Sequence, residues 1–175
     1  MKKNTKIIII VIALLAIVTA IGATYNRQFA KEKMELLKAA EVTILEDGTE
    51  AVRLSMEDMK NLSEEDFTAN LKSSAMRSPE EHTYTGIALS ELIKKAGVSL
   101  EGKSHAVVRS VDGYTVLLKI DEIKEADNIY LTYKDNGDYL GSYEDKDGKG
   151  PYMIVIRNDS FSQRWAKYVC EIEVL

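Results

Sequence analysis

The chain has 175 residues, 45% of them hydrophobic, enough for one domain with a buried core plus additional segments. Its formal charge is -5, and setting aside Lys2, Lys3 and Lys6 of the N-terminal tail leaves 20 basic against 28 acidic side chains. That acidic surplus argues against nucleic acid or an anionic membrane surface as a bulk partner, and a single cysteine excludes an intrachain disulfide.

In chain order, Met1 to Lys6 is short and basic, and Ile7 to Ala23 follows as 17 residues without a charge. As a helix that run would reach about 26 Å at about 1.5 Å per residue, a little short of a hydrocarbon core of about 30 Å. Residues 1–24 therefore read as a secretory signal or a transmembrane anchor. The uncleaved anchor is favoured, because Ile21 interrupts the small-residue cleavage pattern of Ala20, Gly22 and Ala23. The lysines would stay inside and the remainder would lie outside the cytoplasm, or be secreted if the segment is cut. Residues 25–40, rich in Lys, Glu, Ala and Leu, are predicted to form a helical stalk with a weak apolar stripe of Phe29, Leu36, Leu37 and Ala40.

The domain is placed at 41–175. Asp47-Gly48, Asp112-Gly113 and Asn136-Gly137 each lie between apolar runs and predict three hairpins. Ser55 ahead of Met56-Glu57-Asp58 predicts an N-capped short helix. Asp66 to Lys72 reads as a strand and Ser73 to Thr83 as a loop. Leu89, Leu92, Ile93 and Ala96 share a helix face, with Gly97 placed to stop it. A short helix capped by Asp121 is predicted to end near Ala126. Tyr152 to Ile156 is an apolar run suited to a strand buried on both faces. Tyr168 to Val174 alternates, with Tyr168, Cys170, Ile172 and Val174 inward. The fold class is α+β, dominated by strands.

Between those last two strands lies a polar loop carrying Arg157, Asn158, Asp159, Arg164, Trp165 and Lys167. Guanidinium and ammonium groups suit phosphate or sulfate oxygens, so Arg157, Arg164 and Lys167 are the candidate anion ligands. The commoner role for such residues is pairing with surplus Asp and Glu. Cys170, on an inward strand face, reads as a small buried hydrophobe. His82 and His105 stand apart in sequence, so no zinc pattern and no metal site is assigned. The Asp145-Lys146-Asp147-Gly148 run resembles part of a calcium loop but lacks the later bidentate Glu. No Ser-His-Asp arrangement or phosphate loop is present.

Three blocks in order carry a resemblance. YTGIALSELIKKAGV, from Tyr84, is similar to the aromatic-x-Gly-x-x-Leu helix of the sulfite oxidase-like, molybdopterin-binding domain family. VRSVDGYTVLLKIDEIKEADNIYLTYKDNGDYL resembles its next block, and GPYMIVIRNDSFSQRWAKYVCEIEV its last. The resemblance implies that fold and, in the enzymes, oxidation or reduction of small oxoanions or oxides at molybdenum held by a pterin dithiolene and one cysteine. It also implies that Arg164 and Lys167, with Arg157 nearby, would face a cofactor phosphate or a substrate anion. The segment that should carry the cysteine, FTANLKSSAMR from Phe67 to Arg77, contains none, and Ser73 or Ser74 would stand near the vacant position. A thiolate is a soft, strongly donating ligand, whereas an alcohol is protonated at neutral pH and donates poorly. The expectation is a membrane-tethered extracytoplasmic domain acting as a non-catalytic binding or interaction module for a small anion or a partner protein. The alternatives are a molybdopterin-dependent oxidoreductase and a subunit of an exported electron-transfer complex.

Overall fold

Uncharged aliphatic residues favour a helix without a break, and Lys3–Lys38 forms one, α1. The structure is a computed structural model that describes the backbone of residues 3–38 and 40–175, with side chains described for residues 8–24, 27 and 40–175. The chain divides into two compact units, Met1–Glu35 and Leu36–Leu175. In the first, the large apolar side chains from Ile8 to Ile21 are all about half exposed or more. Among the described residues no helix is long and apolar enough to cross a membrane. The side chains of Lys2, Lys3 and Lys6, and the stripe of Phe29, Leu36 and Leu37, lie outside the described residues.

Among the described residues the second unit has ten strands and three further helices. The strands are β1 (Val42–Glu46), β2 (Thr49–Leu54), β3 (Glu65–Leu71), β4 (Glu80–Ala88), β5 (His105–Ser110), β6 (Thr115–Lys119), β7 (Ile129–Asp135), β8 (Asp138–Tyr139), β9 (Met153–Ile156) and β10 (Val169–Val174). The helices are α2 (Met56–Lys60), α3 (Leu89–Lys95) and α4 (Ile120–Lys124), with a 3-10 turn at Ser162–Arg164. Sheet 1 has the order β2-β1-β10-β5-β6. Sheet 2 runs β3-β4-β7, and the far edge of β7 is shared between β9, on Ile129–Thr132, and β8, on Lys134 and Asp135. All pairs are antiparallel except β1 with β10. One buried cluster draws on both sheets and on Leu89, Leu92, Ile93, Ile120 and Ile123 of α3 and α4.

The hairpins follow their turn residues. Asp47 and Gly48 have φ of 48° and 80°, and Asn136 and Gly137 have 52° and 88°, the paired positive values a two-residue hairpin requires. Ser55 caps α2 in a reciprocal box with Asp58, and Gly97 ends α3 at φ 78°.

Four details depart from the sequence expectation. The segment expected as a loop to Thr83 already pairs from Glu80, opposite Leu71, so ladder pairing overrides the polar composition there. Gly86 belongs to β4 at a bulge, where a Cβ would lie 2.6 Å from the Leu131 carbonyl oxygen and 2.8 Å from the Thr132 Cα. α4 starts one residue early; its cap position is Lys119, whose N–H donates to Glu122, and Asp121 sits in the first turn. A bulge between Val169 and Glu171 turns both Val169 and Cys170 inward, replacing strict alternation.

Candidate functional site

The loop after β9 is held from both sides. Trp165 is buried, donates its indole N–H to the Ile156 carbonyl at 3.1 Å and meets Tyr84 edge-on. Ser162 donates its N–H to the Lys72 carbonyl and accepts the Lys72 N–H on its hydroxyl, both at 2.8 Å. Lys72 also lies over the Phe161 ring, 4.6 Å from its centre. The end of β3 and the basic loop, the two stretches singled out by the resemblance, therefore meet.

The three candidate ligands have different environments. Arg157 donates Nε to the Thr68 carbonyl at 3.2 Å and Nη1 to the Asp127 carbonyl at 3.1 Å, with its guanidinium over Phe67. Carbonyl acceptors orient the group, and among the described residues no carboxylate forms an ion pair with it, although Asp127 lines the same trough. It lines a polar trough of about 350 Å³ beside Thr68, Asn70, Asp127 and Asn158. Thr68 and Lys72 both turn a carbonyl away from β4, so Asn70 between them presents its backbone to the same edge.

Arg164 is closed. Asp159 takes Nε and Nη2, and Glu122 takes Nη1 and Nη2, so two carboxylates occupy four of the five N–H donors of one guanidinium. The bonds to Asp159 and Glu122 raise the arginine pKa further, and the Arg164 bonds hold the Glu122 carboxyl below its ordinary range. Lys167 is exposed, and no described contact joins it to either arginine. The acidic partners were visible in the sequence only as a general surplus; which carboxylates face Arg164 depends on α4 packing against the loop.

Sequence reasoning missed a second cluster. His82 Nδ1 lies 2.6 Å from Asp135 Oδ1, and Lys149 Nζ lies 2.8 Å from Asp135 Oδ2. Burial raises the Asp135 pKa, and the bonds from Lys149 and His82 outweigh it, leaving the carboxyl below its ordinary range. His82 and Asp135 are 53 positions apart and are united by the β4–β7 pairing, whereas Lys149 arrives on the loop before β9, its N–H donating to the Leu140 carbonyl at 2.7 Å.

The donor set does not fit a thiolate-held molybdenum. Ser73 and Ser74 occupy the exposed loop after β3, so the segment offers hydroxyls where a thiolate is needed. Cys170 is 1% exposed and lies on sheet 1, its Sγ 3.5 Å from the Arg109 carbonyl. Among the described residues no group of three or more His, Cys, Asp or Glu side chains is placed to hold a metal ion.

Comparison with known proteins fixes the family. A solved structure, the sulfane dehydrogenase SoxCD from Paracoccus pantotrophus, matches with a TM-score of 0.65 over 79% of this chain at 16% identity, which shows the fold. The chain spans 38% of that one's length. No curated protein matches the sequence. The profile of the oxidoreductase molybdopterin binding domain matches residues 33–175, and the chain belongs to that family.

Proposed function

We propose that this protein is a membrane-tethered, non-catalytic binding module, which keeps the fold of the molybdopterin oxidoreductases without a thiol placed to grip the metal. The observation that carries the reading is the position of Cys170, buried on sheet 1, while the β3–β4 loop has no thiol and offers the hydroxyls of Ser73, Ser74 and Ser78. A small anion is the ligand best suited to the trough at Arg157, whose guanidinium has no ion pair among the described residues and would have to outweigh Asp127 on the same wall.

Tethering is supported by the sequence alone, by the 17 uncharged residues from Ile7 to Ala23 behind a basic start, and the lysine rule would then set the domain outside the cytoplasm. Thr19 and Thr24 donate their hydroxyls to carbonyls four residues back, which satisfies them inside the helix as an apolar surrounding demands. The test is pterin content. The full chain, made in cells with active cofactor synthesis and export, is purified in detergent, and released pterin is read by fluorescence after acid oxidation. The expected result is the background of a mock purification; stoichiometric pterin would overturn the reading.

A further inference from the structure

The trough at Arg157 carries both signs of charge beside one open residue of a strand edge. Thr83, which faces Thr68 across the ladder, donates its N–H to the Asn136 side chain and accepts the Asn136 N–H on its carbonyl. Thr68 is therefore in a non-hydrogen-bonded pair, and Asn70, two residues on, likewise turns its N–H and carbonyl away from β4. Arg157 occupies the Thr68 carbonyl and Ser162 occupies both backbone groups of Lys72. Between those two plugs, Asn70 is left as an exposed edge one residue long.

Charge around this opening is mixed. Nη2 of Arg157 is in no hydrogen bond among the described residues. Asp127 lines the same trough, its Oδ1 3.2 Å from the Tyr130 hydroxyl, which also reaches Glu65 at 3.0 Å. Glu125 takes the side-chain amides of Asn128 and Asn158, Asp66 takes the Thr85 hydroxyl, and Glu81 stands across from Asn70. The other nearby cation, Lys72, lies over Phe161. Carboxylates thus outnumber cations, so a bare anion meets repulsion here, whereas a ligand that brings its own cation meets partners.

The open edge sets the spacing that such a ligand needs. The N–H and carbonyl of one strand residue are matched by an acceptor and a donor on a single carbon, which is the arrangement at the α-carbon of an amino acid. Its carboxylate can accept from the Asn70 N–H and from Arg157 Nη2, and its ammonium can donate to the Asn70 carbonyl and to Asp127. The trough measures about 350 Å³, within the range of about 300–1,000 Å³ usual for small-molecule sites. Its walls of Thr68, Asn70, Asp127 and Asn158 favour a polar side chain. We propose that the trough binds a free α-amino acid with a small polar side chain, held as a zwitterion between Arg157 and Asp127 and paired with the backbone of Asn70. This rests on the anion-binding reading and identifies the anion as the carboxylate of that zwitterion.

The experiment titrates L-serine, N-acetyl-L-serine, ethanolamine and sulfate into the full chain in detergent by calorimetry. L-Serine is expected to bind about ten-fold more tightly than N-acetyl-L-serine, which lacks the cation, or ethanolamine, which lacks the carboxylate. Asp127→Asn suits the left-handed backbone at that position, φ 56°. It should weaken L-serine about ten-fold and tighten sulfate, opposite signs that a merely structural role does not produce. Asn70→Pro removes the outward N–H and leaves the ladder with β4 intact, so it should weaken L-serine, whereas Asn70→Ala should not. Four results would each overturn the inference: no binding of L-serine, equal binding of L-serine and N-acetyl-L-serine, tighter binding of ethanolamine, or parallel loss of L-serine and sulfate in Asp127→Asn. Sulfate bound without L-serine refutes this inference alone, and absence of sulfate binding refutes the anion reading with it. Stoichiometric pterin on the same sample refutes the binding-module reading whatever the titrations show.

Discussion

Arg164 and Asp159 are joined by two parallel hydrogen bonds, Nε to Oδ2 at 2.9 Å and Nη2 to Oδ1 at 2.5 Å. With Glu122 on its other side, Arg164 is a strut between α4 and the loop after β9. Arg164→Ala should lower unfolding stability by about 2 kcal/mol, since it leaves two half-buried carboxylates without their donor. Sulfate affinity, followed by calorimetry, should not change. Arg157→Ala should do the opposite: it removes two bonds to carbonyls, costs about 1 kcal/mol, and weakens sulfate binding. Equal loss of sulfate binding in both variants would show that Arg164 also serves the anion.

Acid should loosen the fold through Asp135 and Glu122. Both carboxyls have folded pKa values lowered from ordinary values of 3.8 and 4.5. A group depressed in the folded state contributes stability above its unfolded pKa and loses it as pH falls through the folded one. Urea midpoints should therefore be flat on this account at neutral pH and fall below about pH 4. Asp135→Asn should be less stable at pH 7 and show a shallower acid slope; a parallel slope would remove Asp135 from the explanation.

Gly86 leaves no room for a Cβ against its neighbour strand in sheet 2. A methyl there meets the backbone of Leu131 and Thr132, which neighbouring rotamers cannot relieve. Gly86→Ala should cost about 3 kcal/mol, at the upper end of overpacking penalties, measured by urea unfolding. Gly137→Ala, at a turn where an added Cβ meets nothing within 4 Å, is strained only by its φ of 88° and should cost less.

The tether is open to a charge test in the full chain. Replacing Leu14 and Leu15 with Arg sets two charges in the middle of the apolar run, at about 2.5–3.5 kcal/mol each on an insertion scale. Wild type should stay with membranes after carbonate extraction, and the double variant should be released. Release of both would argue against anchoring.

Local chemistry made much of this legible from sequence. Asp47-Gly48 and Asn136-Gly137 specify their hairpins because the turn demands positive φ, and Ser55 specifies a cap because its hydroxyl must meet an orphan N–H. The parallel pairing of β1 with β10 was not legible, because it joins the two ends of the domain across more than 120 residues and no periodicity encodes it. The site divides the same way. Arg157, Arg164 and Lys167 could be named from residue type, but whether each charge is open or closed depends on Thr68, Glu122 and Asp127, brought in by distant elements. The bulge that buries Val169 beside Cys170 is likewise a product of pairing with β5.

The most direct test asks whether the one sulfur in a cysteine ever meets molybdenum. The full chain and its Cys170→Ala variant, purified in detergent from cells that make active molybdenum cofactor, are compared for metal by mass spectrometry. The account predicts molybdenum at the level of a mock purification in both. Stoichiometric molybdenum in the wild type, lost when Cys170 is replaced, would contradict it.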